Sequence, residues 1–251
     1  MVQLPRGSAE GSNSGRAAGE RLRHPGGYRH FHDDLAVVGQ RLLEMSERAE
    51  SLVELSVRAL LDRDKAAAEA VIVEDEVLDR LEVETETLAI SLLALQQPMA
   101  RDLRFLVGAI KVSSDLERVG DHAVNIAQCT VRLVDARAMA VPLPALEDMA
   151  RRARGMLSQS LDAFIRADGA LGRQVARDDD AVDAMHEGIF RVLLTHMMAD
   201  ARTIGTSLEL LLVSRNLERV ADLATNIGED AVYLAEGTQI RHRYDERQGT
   251  P

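Results

Sequence analysis

Apolar residues recur three and four positions apart from about His30 to Glu236, with no stretch of strict alternation, a pattern that predicts helices and no sheet. Breaks in it are few. A first helix is expected from near His30 to Leu61, where Asp62-Arg63-Asp64 ends it and supplies an N-cap for a second helix running to about Gln97. Pro98 is expected in the first turn of a third helix that continues to near Ala136, since proline is tolerated there. Val141-Pro142-Leu143-Pro144 interrupts the pattern and reads as the connection between two halves. A fourth helix should reach Arg166, Asp168-Gly169 should make the next turn, a fifth helix should end near Met198, and a sixth should run from about Asp200 to Glu236.

Two segments in this scheme read almost alike. Leu116-Glu117-Arg118-Val119-Gly120-Asp121-His122-Ala123-Val124-Asn125-Ile126 in the third helix is echoed by Leu217-Glu218-Arg219-Val220-Ala221-Asp222-Leu223-Ala224-Thr225-Asn226-Ile227 in the sixth, 101 positions on. Asp64 and Asp168, Asp75 and Asp179, and Asp79 and Asp183 repeat at 104 instead, so three residues are missing from the second half where the first has Gln97-Pro98-Met99. Length changes at turns are what a duplicated hairpin tolerates best. The expected fold is all-α: six long helices in two pseudo-symmetric three-helix bundles, residues 28–138 and 139–238. Residues 1–27 are rich in Gly, Ser and Arg with little apolar content, which reads as a disordered extension, and 239–251 read as a polar tail.

Composition agrees with long packed helices: 46% apolar residues but only 3% aromatic, with no tryptophan. A net charge of −11 argues against a nucleic-acid footprint, which needs a clustered basic face. The single cysteine, Cys129, can form neither an internal disulfide nor a thiolate metal site alone and reads as a small buried hydrophobe. With no apolar run of membrane-span length and no signal-like apolar segment in the first 27 residues, the expected setting is the cytosol, with no direct membrane insertion.

Candidate chemistry lies in the repeated Glu-x-x-x-Asp-x-x-x-Asn. Steps of four turn a helix by only about 40°, so Glu117, Asp121 and Asn125 line up on one side, as do Glu218, Asp222 and Asn226. Both ladders interrupt an apolar stripe, Leu103, Leu106, Ile110 and Val124 in the third helix and Ile204 and Leu211 in the sixth. Carboxylates placed so require a cation, a basic partner or a wet groove nearby. Asp75 with Asp79, and Asp179 with Asp183, form a second repeated pair, although Asp75 shares its face with Glu82 and Glu86 in the manner of an ordinary solvated surface. Antiparallel packing would set these aspartates opposite the ladders and make an all-oxygen locus in each half.

Oxygen donors suit Mg²⁺, Mn²⁺, iron or Ca²⁺, whereas a structural zinc site of the usual Cys and His kind has no residues to build it. Arg118 and Arg219 follow the two glutamates and offer the alternative of neutralisation without metal, although their offset of about 100° favours a neighbouring helix. His186, three after Asp183, is a possible addition to the second locus, while His30 and His32 near a helix start read as surface residues. No Glu-x-x-His, phosphate loop, nucleophile elbow or Gly-x-Gly-x-x-Gly is present, so no catalytic residues are assigned and an enzyme is not expected.

Taken together, the twin Leu-Glu-Arg-Val-(Gly/Ala)-Asp segments, the acidic pairs ahead of them and the turn Gln97-Pro98-Met99-Ala100-Arg101-Asp102-Leu103-Arg104 resemble the PhoU family of phosphate-signalling proteins over residues 28 to 238. The resemblance implies a cytoplasmic protein of two three-helix bundles that forms homodimers and binds divalent or trivalent metal ions (iron, Mn, Mg or Zn). Carried over by position, Asp75, Asp79, Glu117 and Asp121 would hold one site and Asp179, Asp183, Glu218 and Asp222 the other. It further implies a negative regulator of phosphate uptake and of the Pho response, linking the ATPase subunit of the Pst transporter to a PhoR-type sensor kinase. Gly120 becomes Ala221 and His122 becomes Leu223 in the second ladder, so the second site is expected to be the altered one.

Overall fold

The computed structural model describes residues 25–134 and 143–240, and among these every regular element is helical. Six helices follow in order: α1 Pro25–Asp62, α2 Lys65–Gln96, α3 Ala100–Leu133, α4 Leu143–Arg166, α5 Gly169–Ala199 and α6 Ile204–Glu236, the last preceded by a single 3₁₀ turn, Ala201–Thr203. The six expected helices are all present. Pro25, Gly26 and Gly27, expected in the extension, instead lie in the first turn of α1. The rest of the extension, the linker positions before Leu143 and the tail beyond Ile240 fall outside the described residues.

The turns show how the chain stops and restarts. Asp64 caps α2 by accepting the Ala67 N–H at 3.0 Å, and Asp168 caps α5 by accepting those of Ala170 and Leu171, each at 3.0 Å. Both caps follow a residue with positive φ, Arg63 at 56° and Ala167 at 52°, which are repeat partners at the 104-residue spacing. Around each, the chain reverses with the same paired bonds: the Asp64 N–H to the Ala59 carbonyl, and the Asp168 N–H to the Ala163 carbonyl. Pro98 departs from expectation. It stands in the connection ahead of α3, because Gln97 leaves α2 in the left-handed region (φ 48°) and Met99 is extended. The residue before a proline is barred from continuing a right-handed helix, so α2 must end there. In the second half Asp200 alone separates α5 from the 3₁₀ turn, which places the three-residue deletion at this connection.

The duplication extends to packing. At the 104-residue spacing buried positions of α1 fall on buried positions of α4: Leu42 on Leu146, Met45 on Met149, Ala49 on Ala153, Leu52 on Met156. Ser56 and Ser160 even donate to equivalent carbonyls, those of Val53 and Leu157, at 2.9 and 2.7 Å. Each half is a three-helix unit, α1–α3 or α4–α6, and the halves join through α3 on α6 and α1 on α4. Among the described residues α2 touches only α1 and α3, and α5 only α4, α6 and the 3₁₀ turn, so these two helices form the outer flanks.

The central seam is antiparallel. Lys111 meets Asp230 at 3.5 Å, His122 Nδ1 lies 2.9 Å from Asn216 Oδ1, and Arg132 makes two bonds to Glu209 at 2.9 and 2.8 Å. Cys129 is buried beside this last pair, and burial pushes its thiol up to about 12, as an inert packed side chain requires. A left-handed conformation costs a side-chain-bearing residue about 1 kcal/mol that glycine avoids. Arg63→Gly and Ala167→Gly should therefore each raise unfolding free energy by about 0.5 to 1 kcal/mol, measured by urea denaturation.

Candidate metal centres

Each half brings its four sequence-predicted carboxylates to the seam between its outer and central helices. In the first, antiparallel packing of α2 and α3 sets Asp75 near Asp121 and Asp79 near Glu117, and each pair is close enough for one charge to disfavour the other. Asp75 is buried, Glu117 half-buried, and Asp79 and Asp121 exposed. Desolvation first, then the charges of Asp79 and Asp121, raise Asp75 to about 6. Desolvation, followed by Asp121 and Asp79, raises Glu117 to about 7. Asp75 Oδ1 is fully buried and has no hydrogen-bond partner. An ordinary solvated face has none of these properties.

Gly120 explains why that oxygen is trapped. Its missing side chain lets α2 approach, and a Cβ there would be driven into the Asp75 carboxylate and to 2.7 Å from Leu78. The glycine is a close-approach position inside a helix, where it costs about 1 kcal/mol relative to alanine.

The second half repeats the arrangement with substitutions. Asp179 is raised to about 7 by desolvation and then by Asp183, Asp222, Asp180 and Glu218, and its Oδ1 is likewise buried without a partner. Asp183 is raised by desolvation, Asp222 and Asp180, and lowered by His186. His186 stands where the first half has Glu82, and its Nδ1 lies 2.6 Å from the Ser214 hydroxyl of α6, which fixes it beside the cluster. Thr225 Oγ1, also buried and unpartnered, belongs to the same stretch of α6.

The two arginines differ. Arg118 lies 3.5 Å from Asp115, not from the first ladder's carboxylates. Arg219, expected to favour a neighbouring helix, instead bonds Asp222 of its own ladder at 2.7 Å, because a long side chain spans the offset between positions three apart. Among the described residues the first cluster therefore has no guanidinium on its four carboxylates and the second has one. Asn125 is exposed and makes no hydrogen bond among the described residues, while Asn226 is half-buried. His32 is exposed.

Two residues outside the assigned set join these clusters. Glu82, read from sequence as part of a wet face, is half-buried with its carboxyl raised by desolvation, Glu86 and Asp79, and it acts in turn on Glu117. The charge of the exposed Asp180 likewise raises Asp179 and Asp183. The signal for Glu82 was its repeat match to His186, and for Asp180 the run Asp178-Asp179-Asp180. The apolar stripe also needs correction. Leu106 is fully buried, but Leu103 and Val107 of α3, and Ile204 and Leu208 at the matching positions of α6, are exposed.

Among the described residues no three His, Cys, Asp or Glu side chains close around a point where an ion would sit. The donor set nevertheless fits a hard cation: all-oxygen, rich in carboxylates, with one buried oxygen in each half lacking any partner. No helix is long and apolar enough to cross a membrane among the described residues.

Fold and site together define a class: a duplicated three-helix protein with an acidic cluster at the same seam of each half. The PhoU domain family model matches residues 42–130 and again 146–231. A phosphate-specific transport system accessory protein PhoU homolog from Caulobacter vibrioides is 41% identical over 210 residues, spanning 84% of this chain and 91% of the relative. One from Rhizobium meliloti is 37% identical over 209 residues, 83% of this chain and 88% of the relative. The crystal structure of PhoU from Pseudomonas aeruginosa matches with a TM-score of 0.80 at 34% identity, covering 83% of this chain and all of that one. A phosphate transport system regulatory protein PhoU from Streptococcus pneumoniae matches at 0.77 and 28% identity, covering 84% and 99%. The chain belongs to the PhoU family.

Carboxyls raised above their ordinary values hold protons in the folded chain that the unfolded chain has released. Between about pH 4.5 and 7 stability must then fall as pH rises. Chelator-treated protein should melt at a lower temperature at pH 8 than at pH 5.5, and Asp75→Asn should shrink the difference. Gly120→Ala should destabilise by about 1 to 3 kcal/mol through overpacking against Asp75 and Leu78, measured by denaturant titration.

Proposed function

We propose that this chain is an accessory regulator of phosphate-specific transport, acting in the cytoplasm as a metal-binding adaptor. On this reading it forms homodimers and represses phosphate uptake and the phosphate-starvation response by linking the ATPase subunit of the Pst transporter to a PhoR-type sensor kinase. Family membership and the names of its relatives support the transport role. The observation that carries the metal reading is the pair of repeat-matched clusters, each with a buried carboxylate oxygen that nothing among the described residues satisfies.

Asp75, Asp79, Glu117 and Asp121 would hold metal in the first half, with Glu82 beside them. Asp179, Asp183, Glu218 and Asp222 would do so in the second, with His186 and Asp180 beside them. Iron, Mn, Mg or Zn would supply the positive charge that these seams lack. The protein's own residues do the rest: α2 and α3, or α5 and α6, carry the donors on rigid helices, and Gly120 lets the first pair close. Arg219 on Asp222 makes the second centre the weaker one, since a guanidinium already answers part of its charge.

That same ion pair favours a second reading, a non-metal helical scaffold whose acidic faces bind a basic partner. Metal analysis separates the two. Protein purified without chelator or histidine tag should carry stoichiometric metal, and Glu117→Ala with Asp121→Ala should remove at least the first half's share. Absence of metal in the unaltered protein would leave the scaffold. For the regulatory role, deleting the gene should raise phosphate uptake and phosphate-responsive transcription under phosphate-rich growth, and a chain with all eight carboxylates changed to the amides should fail to restore repression.

A further inference from the structure

The duplication gives every position in one half a control in the other, and the cleft between the first two helices of each half fails that comparison. In the first half Arg48 on α1 closes the cleft, bonding Glu44 at 3.1 Å and reaching Glu74 of α2 at 4.0 Å. Its repeat partner, Arg152 on α4, pairs with neither Asp148 nor Asp178, the counterparts of Glu44 and Glu74. Asp148 is taken by Arg151 at 2.7 Å, and Arg151 replaces Glu47. The first half thus has three acids and one arginine here, the second two acids and two arginines. In a chain of net charge −11, this cleft is locally neutral, and the exposed guanidinium of Arg152 makes no ion pair among the described residues.

The space is different as well. Ser51 and Leu55 of α1 become Gly155 and Gln159 of α4, and an open groove of about 500 Å³ lies between α4 and α5. Gly155 sits in the middle of a helix, where glycine is disfavoured. No packing accounts for it, because a Cβ there would meet nothing within 4 Å. Its effect is to leave the groove wall bare beside Arg152 and Gln159. Met156 and Met185, polarisable and adaptable, supply apolar lining, and Asp178 supplies an acceptor.

We propose that this cleft binds a small organic phosphate of mononucleotide size, independently of the acidic centres. Arg152 takes the phosphate, with Gln159 as a second donor. Met156 and Met185 cover the apolar part of the ligand, and Asp178 accepts from its hydroxyl or amino groups. The volume lies within the range of about 300 to 1,000 Å³ usual for small-molecule sites.

Calorimetric titration of the full chain tests this, with adenosine 5′-monophosphate and inorganic phosphate as probes and the protein kept in chelator so that no phosphate is held through metal. Saturable binding of the nucleotide, with a dissociation constant below about 1 mM, is expected, and much weaker binding of phosphate alone. Arg152→Gln should weaken nucleotide binding about tenfold or more, as loss of a charge-assisted bond implies. Gly155→Leu should abolish it by filling the cleft, while Ser51→Leu in the first half should leave it unchanged. Circular dichroism and melting confirm that each variant folds. The proposal is overturned if the nucleotide does not bind, if phosphate binds as tightly, or if folded Arg152→Gln and Gly155→Leu bind as the parent does.

Discussion

Like-charge crowding at a helix seam is the constraint on which the rest of this structure turns. Two helices that pack closely usually bring apolar side chains together, yet α2 with α3, and α5 with α6, bring carboxylates together over a glycine or an alanine. The energy that permits this comes from elsewhere. Below and behind each cluster lie Leu78, Leu116 and Val119, or Val182, Leu217 and Val220, all buried, and the antiparallel α3–α6 seam ties the two halves into one body. The acidic seams are thus held in place by a core that does not need them, the arrangement expected where a site is retained for function at a cost in stability.

The two halves have diverged around this shared plan. At the first seam Gly120 allows close approach and no guanidinium answers the four carboxylates. At the second, Ala221 adds a methyl, Arg219 answers Asp222, and His186 replaces Glu82. The central links are equally one-sided: Lys111, His122 and Arg132 of α3 meet Asp230, Asn216 and Glu209 of α6, whereas the repeat partners of the three α3 residues are Leu212, Leu223 and Tyr233. A duplicated chain has become two unequal acidic clusters on one scaffold.

Helical periodicity, the proline interruptions, the Asp64 cap and the Asp168-Gly169 turn made six helices legible, because each depends on a few neighbouring residues. The four carboxylates of each site were legible for a further reason: the same spacing occurred twice, and antiparallel pairing leaves little choice of register. What was not legible depends on side chains meeting across helices or choosing between neighbours. Glu82 joins the first cluster only once α2 is set against α3. Arg219 turns back along its own helix, a choice of rotamer that spacing does not determine. Pro98 stands ahead of α3, because the left-handed turn at Gln97 is a property of the whole connection. Leu103 and Ile204 read as part of the apolar stripe and are exposed, since the spacing of one helix does not say which of its turns a neighbour covers.

On the reading proposed above, the crowded carboxylates hold cations. Calorimetric titration of chelator-treated protein with Mn²⁺ at pH 6.5, in two buffers of different ionisation enthalpy, tests it most directly. Asp75, Glu117 and Asp179 hold protons in this range, and a cation must displace them. Binding with net release of protons is expected, lessened when Glu117 and Asp75 are changed to Gln and Asn. No binding, or binding that releases no protons, would contradict it.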